Sequence, residues 1–521
     1  SAYCTPMQNT RRTVSRPVQT RLCPALFLAM CATALTGCLF GGGGDDDARE
    51  PRRAGEPIVL LDAPIMSVAV DGSVDDWPST ASAVADEHYL YIRFKTDRLV
   101  TIQADRETVQ VQLDLDSNRS TGQTDSRAEL GIDVAITFSP PNAEGEPSFG
   151  TRIETFTPDG DVVQMPAAAL DIMSAPTHAS EWFEVRVGRH VNDEFARGIA
   201  LPQDGLLSDG QVTGRVALFG SGGRLLASAD TFSVDLAPAA AGPRLVRATV
   251  PDKSLGSVRL VAYNVENSSP DSNPEPFTRM LRAIDPDIIC VQEWYDQTPE
   301  SLETWFNREL PISGTWRAIT SQGRGVAVVT RFDASPLGPN AVVVRPEGED
   351  RTVRSATAIV DTPAGPIAVS SVHLKCCGSY GGREDTIRIA EAEGIASMLQ
   401  QWIDDPMGTG VVIAGDYNLV GGTEPLDAIT DGLDSDGSEL TLVDARGLAE
   451  PTLATWTKAT SSFLPGRLDY VAFSDARLGV ERSFVLDPAR LDSESLTALN
   501  LSTEDGRASD HLPIVVDFRP R

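Results

Sequence analysis

Two regions of this chain differ in the periodicity of their apolar and polar residues. Between residues 57 and 237, short runs of alternating apolar and polar residues are separated by Gly, Pro, Asn and Asp. This pattern is typical of the strands of an all-β sandwich. The runs lie at 89–94, 108–115, 131–138, 182–187 and 212–219. We therefore predict a β-sandwich domain at residues 57–237.

From residue 257 to 521, continuous apolar runs alternate with segments of helical spacing. Residues 384–403 predict an amphipathic helix, with apolar side chains such as Ile387, Ile395 and Leu399 on one side. Another helix is expected at 276–284. Strands are predicted at 258–264, 287–292, 325–330, 367–373, 411–415, 468–473 and 513–518. This mixture predicts an α+β fold with layered sheets and helices, joined to the first region by a linker at 238–256.

Length and charge narrow the possible functions. At 521 residues the chain is too long for one core, which favours two or three domains. Its formal net charge of −30 argues against a strongly basic surface for gripping long nucleic acid. Of the seven cysteines, the four from residue 38 onward, Cys38, Cys290, Cys376 and Cys377, are not a disulfide framework.

The N-terminus has the features of an export signal. Basic residues precede an apolar run at 22–35, which is too short to span a bilayer. The run ends in Leu35-Thr36-Gly37-Cys38, which resembles the bacterial lipobox and implies lipidation of Cys38. Residues 1–38 then form a lipoprotein signal peptide and 39–56 a flexible tether. We expect an exported lipoprotein of the outer membrane or cell surface; a plain secretory signal with a chance cysteine is the alternative.

Six short motifs in the second region carry candidate chemistry. They supply carboxylates, amides and imidazoles, mostly at the ends of predicted strands, and they use two of the five histidines of the chain. Such an inventory can hold Mg²⁺ and hydrolyse a phosphate ester. The motifs are Asn264-Val265-Glu266, Gln292-Glu293, His373-Leu374, Gly415-Asp416-Tyr417-Asn418, Arg467-Leu468-Asp469-Tyr470 and Ser509-Asp510-His511.

In their order, these motifs resemble the anchor points of the endonuclease/exonuclease/phosphatase superfamily. The resemblance covers residues 257–521 and implies a DNase I-like four-layer α/β sandwich, preceded here by the all-β sandwich. It also implies a phosphoesterase that depends on Mg²⁺ or Mn²⁺, with Glu293 as the principal metal ligand. Asn264, Glu266 and Asp510 are the further metal-site residues; Glu266 would face the same side as Asn264 if the strand continued.

The same resemblance assigns catalytic roles. Asp416 would orient or deprotonate the attacking water, and Asn418 would bind the phosphate or the transition state. Asp469 and His511 would form a carboxylate–imidazole pair that keeps the imidazole protonated. His373 would contact the phosphate.

The substrate is less narrowly defined. Members that cleave nucleic acids, sphingomyelin or inositol phosphates place a His where His373 stands, whereas abasic-site endonucleases tend to use a Tyr. Arg324 and Arg388 are further candidates for phosphate contact. We expect a nuclease or broad phosphodiesterase acting on nucleic acid, a phospholipid headgroup or a sugar phosphate. A sphingomyelinase- or inositol-phosphatase-like enzyme is the alternative, and a non-catalytic surface-binding lipoprotein is the alternative of another class. The sequence does not indicate the oligomeric state.

The first region has two motifs of its own. Residues 70–77 resemble the entry motif of family 9 carbohydrate-binding modules, which implies a glycan partner. Oxygen ligands at alternate positions, in Asp114, Asp116 and Asn118, together with Asp133, are suited to Ca²⁺. A hairpin turn with solvated acids and no ion is the alternative.

Overall fold

The computed structural model describes residues 53–54, 68–78, 81–125, 130–157, 161–196, 207, 210–321, 323–339, 341–403 and 408–521. The predicted signal peptide and the lipidation site Cys38 lie outside these residues. Arg53–Ala54, which we expected to belong to the tether, pair in parallel with the strand Thr441–Val443.

Within the described part of residues 257–521, strands form two extended mixed sheets. One has the order Arg317–Ser321, Val326–Thr330, Ile288–Gln292, Val258–Asn264, Ile514–Pro520 and Leu478–Val485. The other continues from Arg53–Ala54 through Thr441–Val443, Asp469–Phe473, Gly410–Asp416, Gly365–His373, Ser355–Thr362 and Ala334–Pro336. The seven strands predicted from apolar runs are present to within a few residues. The sequence did not predict five further strands: Arg317–Ser321, Ala334–Pro336, Ser355–Thr362, Thr441–Val443 and Leu478–Val485.

Alternating side chains place these sheets face to face. In the strand Val258–Asn264, Leu260 and Ala262 pack in the core between the sheets, whereas Val261 and Tyr263 pack against helices outside. This two-sided burial follows from the period of two along a strand. Helices Pro274–Ile284 and Pro299–Glu309 cover one sheet, and helices Arg383–Trp402 and Glu424–Thr430 cover the other. The result is the predicted four-layer α/β sandwich.

Shorter elements connect these layers. The described short α-helices are Ser269–Ser272 and Ser493–Leu499. A small hairpin pairs Val343–Val344 with Arg351–Thr352. Single 3₁₀ turns lie at Ala167–Leu170, Ser221–Gly223, Pro346–Gly348, Pro488–Arg490 and Thr503–Arg507.

The described part of the first region is all-β, as predicted. One sheet has the order Met173–Ala175, Ser180–Gly188, Tyr89–Val100 and Ala83–Ala85. The facing sheet contains Arg224–Ser228, Gly210–Gly220, Thr108–Asp114, Val134–Phe138, Thr151–Phe156 and Val162–Met165, and Phe232–Leu236 also pairs with Gly210–Gly220. Ile92 and Phe183 of one sheet pack against Val111 and Ile136 of the other. The predicted strand 131–138 is interrupted at Asp133, and Leu130–Ile132 pairs instead with Gln123–Asp125.

The helix predicted at 384–403 spans Arg383–Trp402, but its buried face is not purely apolar. Asp385, Arg388 and Glu391 are buried beside Ile387 and Ile395. These charged side chains are neutralised by ion pairs, which makes their burial possible. The described residues contain no helix that is both long and apolar enough to cross a membrane.

Residues 51–521 form one compact unit, and its two regions share polar contacts. At one place, Arg490 binds Asp171 at 2.6 Å and Glu450 at 2.9 Å, and the fully buried Arg186 also contacts both acids. Elsewhere, the buried hydroxyl of Thr101 donates a hydrogen bond to Val420 O. The predicted linker is part of this unit, since Val246 and Ala248 are buried in the core beneath the helices. The predicted domain limits themselves stay a prediction.

Candidate active site

The predicted site residues meet at one edge of the two facing sheets. Asn264 is in register with Gln292 in one sheet, and His373 is in register with Asp416 in the other. Asp416 in turn pairs with Asp469 on the next strand. Because these residues end their strands at the same edge, polar side chains from distant parts of the sequence come together there.

A close approach of backbones at Gly415 helps to form this edge. Gly415 has φ +141°, and a Cβ atom there would lie 2.2 Å from Val372 O and 2.7 Å from the Gln292 side-chain nitrogen. A larger residue would therefore collide with both sheets. The glycine lets Asp416 follow directly at the strand end, beside His373.

Glu293, His373 and Asp416 form a cluster of possible cation ligands, with one ligand atom of each within 4.8 Å of the others. His373 Nε2 lies 3.5 Å from Asp416 Oδ2 and 3.8 Å from Glu293 Oε1. Asn264 Nδ2 donates to Asp416 Oδ2 at 3.1 Å and lies 3.4 Å from Glu293 Oε1. Glu293 adopts a left-handed φ of 60°, a costly conformation of the kind that gathers at functional sites.

Asp416 is buried and crowded by other charges. Burial, together with the acids Asp469 and Glu293, raises the pKa of its carboxyl group to about 7 against the opposing effect of His511. Asn418 stabilises the carboxylate: its backbone N–H donates to Oδ1 and its amide to Oδ2, both at 2.9 Å. A carboxylate held in this way is oriented towards the centre of the cluster.

The expected carboxylate–imidazole pair is present. His511 Nδ1 lies 2.7 Å from Asp469 Oδ2, and both side chains are buried. Burial alone would lower the pKa of His511, but Asp469, helped by Asp416 and Asp510, raises it to about 10. The imidazole is therefore cationic at neutral pH, with its Nε2 3.9 Å from Asp416 Oδ2.

The two histidines of the site, His373 and His511, have different charge states. Burial lowers the pKa of His373 well below its usual value, and the cations Arg354, His511 and Lys375 lower it further. Its ring is neutral at physiological pH and can offer a lone pair to a cation or accept a hydrogen bond.

Glu266 and Asp510 form a separate group beside this cluster. The strand ends at Asn264, as predicted, and Glu266 has a left-handed φ of 45°, so the condition under which Glu266 would face the same side as Asn264 is not met. Lys458 Nζ binds Glu266 Oε1 at 2.6 Å and Asp510 Oδ2 at 3.1 Å. Asp510 is nevertheless near the centre, since its Oδ1 lies 4.0 Å from His511 Nε2.

The two arginines suggested for phosphate contact differ in their exposure to solvent. Arg388 is fully buried, and its guanidinium donates to Asp385 and to the carbonyls of Lys375 and Cys377. It supports the loop after His373, so the assignment of Arg388 to phosphate contact was wrong. Arg324 is exposed in a turn after the strand Arg317–Ser321.

Two further residues near the cluster were missed from the sequence. Arg354, beside His373, donates a hydrogen bond to Leu374 O. Burial raises the pKa of Tyr295, Glu293 raises it further, and a hydrogen bond to Arg354 opposes this change. Tyr295 follows Glu293 by two residues, a signal that the sequence did offer. Arg354 lies alone in a polar stretch, so the sequence gave no signal for it.

Comparisons with known proteins agree with this arrangement. No curated protein matches the chain. Residues 261–511 match the sequence profile of the Endonuclease/Exonuclease/phosphatase family. The chain carries an Endonuclease/Exonuclease/phosphatase domain. The match supports a phosphoester-hydrolysing enzyme.

Several solved structures are similar to the Endonuclease/Exonuclease/phosphatase domain. D. rerio TDP2, complexed with single strand DNA product, is 14% identical over 50% of this chain and 99% of its own, with a TM-score of 0.33. The endonuclease/exonuclease/phosphatase from Bacteroides vulgatus is 13% identical over 51% of this chain and 99% of its own, with a TM-score of 0.34. The human Nocturnin catalytic domain with bound sulfate is 18% identical over 52% and 97%, with a TM-score of 0.31.

A cavity of about 450 Å³ lies between the Endonuclease/Exonuclease/phosphatase domain and the β-sandwich. Glu266, Lys458 and Asp510 line it from the domain, and His88 and His190 line it from the sandwich. A ligand that enters this cavity, beside the cluster of Glu293, His373 and Asp416, would contact both regions.

Outside the Endonuclease/Exonuclease/phosphatase domain, the acids predicted for Ca²⁺ also meet. Asp114, Asp116 and Asp133 each place an oxygen within 4.8 Å of the others, and Asn118 lies in the same loop. Asp114 is only 2% exposed, and its Oδ1 has no hydrogen-bond partner among the described residues. Burial, together with the acids Asp116 and Asp114, raises the pKa of Asp133 to about 6.

Proposed function

We propose that this protein is a nuclease or broad phosphodiesterase that uses Mg²⁺ or Mn²⁺ and in-line attack of water on phosphorus. The observation that carries the proposal is the convergence of Glu293, His373 and Asp416 beside the His511–Asp469 pair. Carboxylates, a neutral imidazole and a fixed cation at one point are the groups that this reaction requires.

The residues present fit a hard divalent cation. Carboxylate oxygens of Glu293 and Asp416 and the Nε2 of His373 are close enough to share one ion. The pKa of Asp416 is raised by burial and by acidic neighbours, which indicates negative charge that the protein itself does not fully balance. When bound, a divalent ion would act as a Lewis acid on the phosphate oxygen.

The protein groups supply the remaining steps. Asp416, fixed by Asn418 and Asn264, orients the attacking water and accepts its proton as the new P–O bond forms. The Asn418 amide is occupied by Asp416 Oδ2 and Leu374 O, so its role is to position Asp416. The imidazolium of His511 stabilises charge that develops on the phosphoryl oxygens while the ester bond breaks, and the leaving oxygen takes a proton from solvent. Asp469 keeps His511 protonated and correctly turned.

The test is hydrolysis of a substrate panel by the protein without its signal peptide, with Mg²⁺ and again with EDTA. Plasmid DNA, RNA, sphingomyelin and inositol phosphates separate the nuclease from the sphingomyelinase- and inositol-phosphatase-like alternatives. Glu293→Gln should abolish the metal-dependent rate. Glu275→Gln, on an 84% exposed side chain of helix Pro274–Ile284, is the matched control and should retain it.

Two results would contradict this proposal. Activity that EDTA leaves unchanged would refute the metal dependence. Silence on every substrate would favour the non-catalytic binding lipoprotein, although the complete assembly of Glu293, Asp416, Asp469 and His511 argues against that alternative.

We also propose that the protein is exported and anchored through a lipid on Cys38, on the basis of the lipobox-like sequence alone. Cys38→Ala should move it from the membrane fraction to the soluble fraction; retention on the membrane would contradict the anchor. A glycan partner for the sandwich rests only on the motif at 70–77. We assign Ca²⁺ to the acids Asp114, Asp116 and Asp133, because a buried carboxylate oxygen without a partner is costly unless a cation binds it.

A further inference from the structure

Lys458 is held between two carboxylates at the edge of the catalytic cluster. Its ammonium binds Glu266 Oε1 at 2.6 Å and Asp510 Oδ2 at 3.1 Å. The acids are themselves joined, because the Asp510 backbone N–H donates to Glu266 Oε2 at 3.1 Å. One cationic group therefore lies where two acidic side chains converge.

This group is directly beside the chemistry. Asp510 is adjacent in sequence to His511, and its Oδ1 lies 4.0 Å from His511 Nε2, which is itself 3.9 Å from Asp416. Asn264, which donates to Asp416 Oδ2, also accepts a hydrogen bond from the Glu266 backbone N–H at 3.0 Å. Two neighbouring carboxylates in such a position repel each other unless a cation lies between them.

Many phosphoesterases place a second divalent ion between carboxylates beside the first, where it stabilises the oxygens that gain charge. Here that position is filled from within the chain. Lys458 is one of only two lysines in residues 257–521. Its side chain is 40% exposed, compared with 28% for Glu266 and 17% for Asp510, so the ammonium also faces solvent.

We propose that Lys458 takes the place of a second divalent cation, so that the active site works with a single metal ion. The inference rests on the proposed function and defines its metal stoichiometry. Two N–H groups of the ammonium bind Glu266 and Asp510, and the third is left to contact an oxygen of the substrate. Because Lys458 lines the cavity shared with the sandwich, that oxygen belongs to the part of the substrate that enters from this side.

The test counts bound Mn²⁺ on the protein without its signal peptide, by electron paramagnetic resonance of the free ion at equilibrium. Lys458→Met should bind one more ion per chain than the wild type, because it frees Glu266 and Asp510. Adding Glu266→Gln to that variant should remove the extra ion. Lys458→Arg retains the charge and should leave the count unchanged, as should Lys375→Met, which removes the only other lysine of residues 257–521.

The spectrum of the bound ions gives a second readout that does not depend on the sandwich acids. The Lys458→Met variant should show a spin-coupled Mn²⁺ pair, and the wild type should not. Equal counts in wild type and Lys458→Met would overturn the inference. A coupled pair in the wild type would overturn it even if the Met variant failed to fold. An unchanged count in Glu293→Gln would instead overturn the proposed function.

Discussion

The Glu293–His373–Asp416 cluster and the Asp114–Asp116–Asp133 cluster have the same apparent capacity to bind a cation but different surroundings. Each gathers three possible ligand atoms within 4.8 Å. The first unites residues at the ends of separate strands of two sheets, and its members lie 80 and 43 positions apart in the sequence. The second lies within twenty positions of one loop and hairpin of the sandwich.

The groups around each cluster indicate what each can do. Beside the Glu293–His373–Asp416 cluster lie an imidazolium that can act on a substrate and a cavity that can admit one. Beside the sandwich cluster, the contacts are mostly backbone N–H groups and the Thr121 hydroxyl, as when Leu115 N donates to Asp133 Oδ2 at 2.8 Å. A cation there would hold in place the loop that carries Asp116. Ligand geometry alone therefore does not distinguish a catalytic site from a structural one. The proton donors beside the ligands distinguish them.

The largest expected effect uses the same substitution in both clusters. Asp416→Asn should lower kcat by about 10³-fold, because it removes the group that accepts the proton of water and part of the cation site. Asp116→Asn, the matched change in the sandwich, should leave kcat within about twofold. Steady-state kinetics on the cleaved substrate, at saturating Mg²⁺, measure both. Comparable losses in the two variants would remove the distinction between the clusters.

A smaller effect concerns the imidazolium. The pKa of His511 is raised to about 10, so a rate that needs the protonated ring should fall as the pH rises through about 10. In Asp469→Asn the main raising influence is lost, the pKa drops, and the fall should begin at a lower pH. We also expect kcat to decrease about 10²-fold at neutral pH. The pH profile of kcat from pH 6 to 11 tests this, and coincident alkaline limbs in both proteins would contradict it.

In the sandwich, the expected effect is on stability. Ca²⁺ at about 100 times its Kd contributes roughly 2.7 kcal/mol through mass action, which should raise the melting temperature by several degrees. Because the pKa of Asp133 is raised to about 6, its stabilising contribution disappears as the pH rises through 6, and the Ca²⁺ effect should appear above that pH. Asp114→Asn with Asp133→Asn should abolish the shift measured by calorimetry. A shift retained in this double variant would place the ion elsewhere.

The smallest effect tests whether the sandwich influences the catalytic cluster at all. The Thr101 hydroxyl donates to Val420 O at 3.0 Å and accepts from Tyr380 N at 2.9 Å, so it joins the loops that follow Asn418 and His373. Thr101→Val should lower kcat about three- to tenfold, in line with one or two lost hydrogen bonds. Thr101→Ser should restore it, and Thr213→Val, on an exposed strand position, is the control. Unchanged kcat in Thr101→Val would show that the regions work independently.

The sequence predicted most of the scaffold because buried apolar residues recur with the period of a strand or a helix. The continuous apolar runs ending at Asn264 and His373 gave the strands and hence the edge at which polar residues meet. The helix 384–403 was found, but its buried Arg388 was taken as a candidate for phosphate contact. Its partner Asp385 and the carbonyls of Lys375 and Cys377 come together only in three dimensions.

Other features depend on residues far apart in the chain. Lys458 lies 192 positions from Glu266 and 52 from Asp510, so no local pattern connects them. The left-handed turn at Glu266 was also hidden, since the run of apolar residues gives no sign of where the backbone reverses. The roles of Glu293, Asp416 and the other site residues stay predictions until the variants are measured.

The ion network of Arg186, Asp171, Arg490 and Glu450 sets a condition on any attempt to shorten this protein. Residues 257–521 expressed alone would keep Glu450 and Arg490 but would lose Arg186 and Asp171, which leaves both side chains without these partners. A catalytic fragment trimmed at the predicted linker would also lose Val246 and Ala248 from its core. The two regions are therefore best expressed and exchanged as one piece.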